Sequence, residues 1–356
     1  MGVPPQDTAA KGDQVTLTAS NLESHSDDQF VGTEGDEQAG RVDVAGRSPI
    51  RLAWTRFRKD KLSMAALAVT LLFVVMAIAS PILDKMGILD PYTPHQDLLD
   101  PSTGGYPKGA LGGISVAHPL GVEPGIGRDV LSRLMLGATL SLTIALAAAI
   151  ITVVVGVVLG IIAGFTGGFV DSAIGRFIDL TLAFPATLML LGLSQVVVDR
   201  MKQIGVPAGP NGAFVNGFYI VFVLAIFGWP PVARLIRGQV FSIREREYVD
   251  AAVLMGASRP RIYFKEILPN LWAPILIYFT LLMPAYVSAE AALSFLGVGI
   301  KNPTPTLGNV LSSAVSYAEG DFFFFFAPAA IIAAIVISFN LLGDGARDAL
   351  DPKAGR

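Results

Sequence analysis

The chain has 356 residues, of which 52% are hydrophobic and 15% charged. A soluble domain carries about a quarter charged residues, so the composition points to an integral membrane protein with a lipid bilayer as its main partner and no nucleic-acid partner. The net charge of −3 arises mostly from a polar N-terminal stretch, and the lack of cysteine excludes a disulfide framework, a thiolate metal site and a cysteine nucleophile.

Residues 1–47 are rich in Asp, Glu, Ser and Gly, hold too few large apolar side chains to bury a core, and are expected to form a disordered cytoplasmic tail. No signal peptide opens the chain. Residues 48–61, including the run Leu52 to Lys61, form a basic, partly amphipathic elbow segment expected along the inner membrane face. The first apolar run, 62–83, is long enough to cross a bilayer core of roughly 30 Å. Arg51, Arg56, Arg58, Lys59 and Lys61 precede it, which places the N-terminus inside. A Pro- and Gly-rich external loop follows over 84–139.

Further spans are expected at 140–165, 180–198, 218–234, 273–293 and 322–342, within a membrane domain of 62–343. A cytoplasmic loop covers 235–271 and a cytoplasmic tail 344–356. The fold class is thus all-α, a polytopic membrane protein with six transmembrane helices and both termini inside. Gly156, Gly160 and Gly164 recur every four residues in the second span, a spacing that lets another helix approach closely. Residues 166–176 read as an inner loop. Pro185 lies near the inner end of the third span, and Pro230-Pro231 imply a break or kink in the fourth. Arg234, Arg237, Arg244, Arg246, Arg259, Arg261 and Lys265 concentrate in the 235–271 region and its edge, which puts it in the cytoplasm.

Within that loop, Glu247 to Met255 reads as a short helix and Gly256 as its stop. Ser258 reads as the N-cap and Pro260 as a first-turn residue of a second helix running to Leu268-Pro269. A helical elbow between spans suits insertion into a groove on another protein. The same residues also fit a basic amphipathic pair lying on the membrane surface.

The chain shows no energy source of its own. No span carries a charge near its centre, as an ion-coupled carrier would, and no phosphate-cradling G-x-x-x-x-G-K-[ST] loop occurs. His25, His95 and His118 have no metal-ligand spacing, and Ser141, Ser194 and Ser288 are better explained by helix packing than by catalysis. No catalytic or metal site is therefore expected. Glu290, near the outer end of the fifth span, is a candidate for an outer gate or for pairing with a partner-chain cation. Its alternative is a residue solvated at the interface.

Asp250-Ala251-Ala252, three residues, Gly256 and then Leu268-Pro269 resemble the "EAA" loop of the membrane subunits of bacterial ABC importers. Asp250 replaces that pattern's Glu, and Glu266 occupies the place of its Ile, with Ile267 following. Three more stretches resemble the C-type subunit of the dipeptide/oligopeptide/nickel branch: His118-Pro119-Leu120-Gly121 with Gly127 to Arg133, Ala289 to Gly297, and Phe339 to Pro352. The resemblance implies a type I ABC importer permease (MetI-like) fold. It also implies a heterodimer with a second, related permease, two ATPase subunits carrying ATP and Mg, and an external substrate-binding protein. Glu247, Asp250, Ala251, Ala252, Gly256, Leu268 and Pro269 would then couple to the ATPases, and no cofactor would reside in this chain. Peptide import in the bacterial plasma membrane is the implied function. Nickel or another small solute of the same family is the alternative, and an uncoupled channel or carrier the more distant one.

Overall fold

In the computed structural model, which describes residues 49–350, the stripe of Gly156, Gly160 and Gly164 decides how the bundle is built. It lies on α3 (Val130–Thr166), and α7 (Ala213–Arg244) presses its backbone against it. A Cβ on Gly160 would stand 2.8 Å from the Ala233 carbonyl oxygen, and one on Gly164 2.9 Å from that of Arg237. Val232, Ala233, Ile236 and Val240 fill the seam and are all buried. Forcing extra methylenes into such a contact costs about 1–3 kcal/mol. Gly160→Leu is therefore expected to lower the thermal midpoint of the detergent-purified protein and its yield, as measured by fluorescence-detected size exclusion.

Higher residue numbers meet higher ones along this seam, so α3 and α7 run parallel, and the chain between them must return across the bundle. The return is made by α4 (Gly168–Ala183), α5 (Ala186–Gly192) and α6 (Ser194–Gln203). It is not the single straight helix over 180–198 that hydropathy suggests. Helices α4 and α5 are bent by 66° about Phe184-Pro185, where Phe184 takes the extended backbone that a following proline enforces. The expected loop 166–176 is instead helical from Gly168 onward. Its charges find partners on α7: Asp171 pairs with Arg237 at 2.5 Å and Asp179 with Arg234 at 2.7 Å.

The remaining long helices are α2 (Lys61–Lys85), α10 (Trp272–Phe295) and α12 (Phe322–Leu350), preceded by the short α1 (Pro49–Phe57). Helix α10 packs on α3 and α12, while α2 packs on α3 and α12. Asp60 caps α2, its carboxylate accepting from the Leu62 and Ser63 amides at 3.0 and 3.1 Å and from the Ser63 hydroxyl. The Ser63 hydroxyl bond, followed by the Leu62 amide, holds the Asp60 carboxyl below its ordinary pKa.

Several expected boundaries shift; helix α12 runs on to Leu350, so the expected tail from 344 is helical up to that residue. Helix α3 begins at Val130, earlier than expected, because Asp129 caps it by accepting from the Ser132 amide at 2.7 Å. Helix α7 continues through Pro230-Pro231 without a break and on to Arg244, beyond the expected end at 234. The two missing ladder bonds are outweighed by packing, since the Trp229 carbonyl and Val232 lie directly against Gly156 of α3.

Among the described residues, five helices are long and apolar enough to cross a membrane, or six if the bent α4–α5 pair counts as one span. The loop region before α3 holds a two-stranded antiparallel hairpin, β1 (Leu99–Asp100) and β2 (Tyr106–Pro107). Between α10 and α12 lies α11 (Leu307–Val315), an element absent from the sequence reading. The tail over 1–47 and residues 351–356 lie outside the described residues.

Candidate functional site

The elbow is built on the apolar ends of α3 and α7. Val249 and Ala252 of α8 (Glu247–Leu254) join Ile262, Ile267 and Leu271 in one buried cluster with Val157 and Ile161 of α3 and Val240 and Ile243 of α7. Phe165 and Tyr263 meet edge to face with centroids 5.4 Å apart, and the Arg244 guanidinium donates to the Gly164 carbonyl at 3.1 Å. The elbow therefore rests on rigid supports.

Helix α8 ends in a full Schellman turn. The Gly256 amide donates to the Val253 carbonyl and the Ala257 amide to the Ala252 carbonyl, both at 3.0 Å. Gly256 takes φ +77°, and the space where its Cβ would stand is open to 4 Å. The chain then continues as α9 (Arg259–Arg261), a π turn over Ile262–Ile267 and a tight turn over Leu268–Asn270. Ser258 does not cap with its side chain as expected; its carbonyl receives the Ile262 amide instead. Ile267 is fully buried, so it fills the apolar place that the pattern assigns one residue earlier, at Glu266.

Among the expected coupling residues, Ala252 is buried and Leu268 half-buried against the supporting cluster. Glu247, Asp250, Ala251, Gly256 and Pro269 are exposed. The structure adds residues that the motif did not mark: Val253, Leu254 and Met255 are 48%, 88% and 80% exposed at the tip of α8. Their bulk and position at the turn were the available signal.

Glu290 lies elsewhere. It is fully buried in α10. The Ser294 hydroxyl donates to its Oε1 at 2.7 Å, and the hydroxyls of Ser141 on α3 and Thr306 before α11 face the same carboxyl. Ser141 also accepts the Leu307 amide at 3.2 Å. Glu290 thus lies where α10, α3 and the start of α11 meet, with its Oε2 buried and without a hydrogen-bond partner.

At the far end of α3, about 55 Å from the elbow by helical rise, another buried network holds the polar loop. Arg128 grips Glu123 through Nε and Nη2 at 2.7 and 2.9 Å, and Arg133, wholly buried, approaches the same carboxylate at 3.4 Å. Arg133 also donates to the Asn302 side chain at 2.8 Å and the Pro303 carbonyl at 3.2 Å. His118 Nδ1 pairs with Asp129 at 2.9 Å. The Gly-Arg-Asp run therefore staples the loop to the bundle. No group of three or more His, Cys, Asp or Glu residues that could hold a metal ion occurs among the described residues.

Comparison with known proteins fits this geometry. The sequence model of the "Binding-protein-dependent transport system inner membrane component" family matches residues 156–356, which include the elbow, and that of the "N-terminal TM domain of oligopeptide transport permease C" matches residues 48–101. The chain belongs to the binding-protein-dependent transport permeases. This permease is 35% identical over 332 residues to the dipeptide transport system permease protein DppC of Bacillus subtilis, covering 93% of this chain and 94% of the relative. It is 34% identical to the oligopeptide transport system permease protein OppC of the same species, covering 85% and 88%. It is 33% identical to the glutathione transport system permease protein GsiD of Shigella flexneri, covering 86% and 91%. The permease is a multi-pass membrane protein and a transport subunit.

Proposed function

We propose that this permease is one half of the translocation path of an ATP-driven importer of di- or oligopeptides, and that the elbow over 247–269 is where ATPase subunits dock. The observation that carries the reading is the tip of α8. Three large apolar side chains, Val253, Leu254 and Met255, stand exposed on a turn whose other face is locked into the bundle. A free apolar knob on a rigid base is suited to a pocket on another protein. A helix pair lying on lipid would instead turn the same face inward along its length. The relatives supply the cargo class, since those reported act on dipeptides, oligopeptides and glutathione.

The mechanism follows from continuity. The tight turn over Leu268–Asn270 leads through Leu271 directly into α10, so a docked ATPase that moves rigidly carries α10 with it. Two packed arrangements then alternate, driven by the different affinities of the ATPase and an external binding protein for them. A second, related permease completes the path, and ATP with Mg belongs to the ATPases. The basic elbow faces the cytoplasm and both termini lie with it.

Two measurements test this reading. Reporters fused after Arg356 and inserted in the elbow should both report the cytoplasm, and one at Gly104 the outside; an external signal from the elbow contradicts the topology. Proteoliposomes holding both permeases and the ATPases should show ATP-dependent uptake of a labelled dipeptide only when a loaded binding protein is added. Uptake without ATP would place the protein among uncoupled channels.

A further inference from the structure

The elbow end of the bundle holds a second apolar surface, which transport does not explain. A groove of about 290 Å³ is lined by Ala53, Trp54 and Phe57 of α1, Leu67 of α2, and Leu342 and Leu350 of α12. Its walls are fixed. Phe57 is buried, and a Cβ on Gly345 of α12 would lie 1.9 Å from Ser63 Oγ and 3.2 Å from the Phe57 ring, so α1 and the start of α2 press directly on α12. Trp54 stacks on Phe57 with centroids 5.9 Å apart, yet remains 51% exposed with its ring on the groove.

The groove has a depth, and a charged turn follows its lining residue Phe57 in the chain. Leu67 lies about 9 Å along α2 from Lys61 by helical rise, so the lining runs from the level of the span's first charge into the span itself. Arg58, Lys59 and Lys61 follow the lining residue Phe57 on the turn that joins α1 to α2, all exposed and without an ion pair among the described residues. Asp60, which lies between them, has its carboxylate engaged by Leu62 and Ser63. On α12, Asp344, Arg347 and Asp348 are also exposed but do not line the groove.

We infer that this groove binds an anionic glycerophospholipid, with its phosphate on Arg58, Lys59 and Lys61 and one acyl chain beside Trp54, Leu67 and Leu342. A wholly apolar wall suits an acyl chain, and three exposed cations on the turn that follows Phe57 favour a negative headgroup. An indole at the junction of the two zones is where the amphipathic ring is favoured. Each such cation contributes about five-fold in affinity for an anionic surface. The bound lipid fastens α1 to α12.

Trp54 is the reporter. In the full-length permease carrying Trp272→Phe, Trp54 is the remaining exposed indole, since Trp229 is buried. Brominated phosphatidylglycerol should quench it in mixed micelles at a much lower mole fraction than brominated phosphatidylcholine. Lys59→Gln should weaken that preference about five-fold, and Arg58→Gln with Lys59→Gln and Lys61→Gln should erase it. Trp54→Phe should remove the lipid-sensitive signal. Should the triple variant fail to fold, Lys59→Gln alone decides, because it removes one exposed charge and no packing. Equal quenching by the two lipids, or a preference that Lys59→Gln leaves unchanged, would overturn the inference. Quenching that appears only after deletion of Met1 to Gly46 would also overturn it, because the groove would then belong to the chain's own acidic segment.

Discussion

Gly256→Asp is expected to reduce ATP-driven transport at least tenfold while the permease is still made, inserted and paired. Gly256 adopts φ +77°, where a residue with a Cβ costs about 1–2 kcal/mol. Because nothing lies within 4 Å of the added Cβ, that cost distorts the turn without disturbing the bundle. The aspartate also sets a charge beside Leu254 and Met255, which are offered to the docking partner, and tenfold in affinity needs only about 1.4 kcal/mol. Two companions separate the terms. Gly256→Ala carries the backbone strain alone and should give an intermediate loss. Leu254→Asp carries the charge without the strain and should approach the full effect. A solvated loop with no partner would tolerate all three with nearly unchanged transport.

The largest effect on stability is expected at the opposite end of α3. Glu123 is the carboxylate on which two buried arginines depend, Arg128 at 2.7 Å and Arg133 at 3.4 Å. Removing one member of a buried pair costs about 3–5 kcal/mol, because the other charge is left without compensation. Glu123→Ala strands two. The expected outcome is a sharp loss of monodisperse protein and a large fall in thermal midpoint, with proteolysis first at the loop before Val130. An exposed pair serves as control: Asp199 and Lys202 are about half exposed at 3.7 Å, and Asp199→Ala should change the midpoint little. A wild-type midpoint for Glu123→Ala would show that the network does not hold the loop.

The apolar cores of the spans were legible because a bilayer allows only long uncharged runs to cross as helices. What misled the sequence reading was charge. Arg133 at the start of α3 and Asp171 on α4 look like loop residues. Both are helical, with their charges met by Glu123 and Arg237 respectively. Helix α11 went unnoticed because it is short and its capping box uses Asn309 in place of the acid or glutamine that usually marks one. Pro230-Pro231 imply a break or kink, and the seam with α3 shows why the helix does not break there.

In the elbow, the turn at Gly256 was readable from residue type and spacing. Which side chains face outward was not, since that depends on where α3 and α7 end. Glu290 illustrates the same limit. Its place near a span end was visible, but its burial follows from Ser141 and Thr306, which other elements bring to it.

Coupling through the elbow requires its tip to touch an ATPase, and the absence of native cysteine makes that contact directly measurable. Leu254→Cys places a single thiol at the exposed tip. In the assembled complex, a short thiol-reactive crosslinker should join it to an ATPase subunit in high yield, with the yield changing when ATP is added, while Gly104→Cys gives no such product. A Leu254→Cys thiol that never crosslinks to the ATPase in an actively transporting complex would contradict the assignment of this elbow as the coupling site.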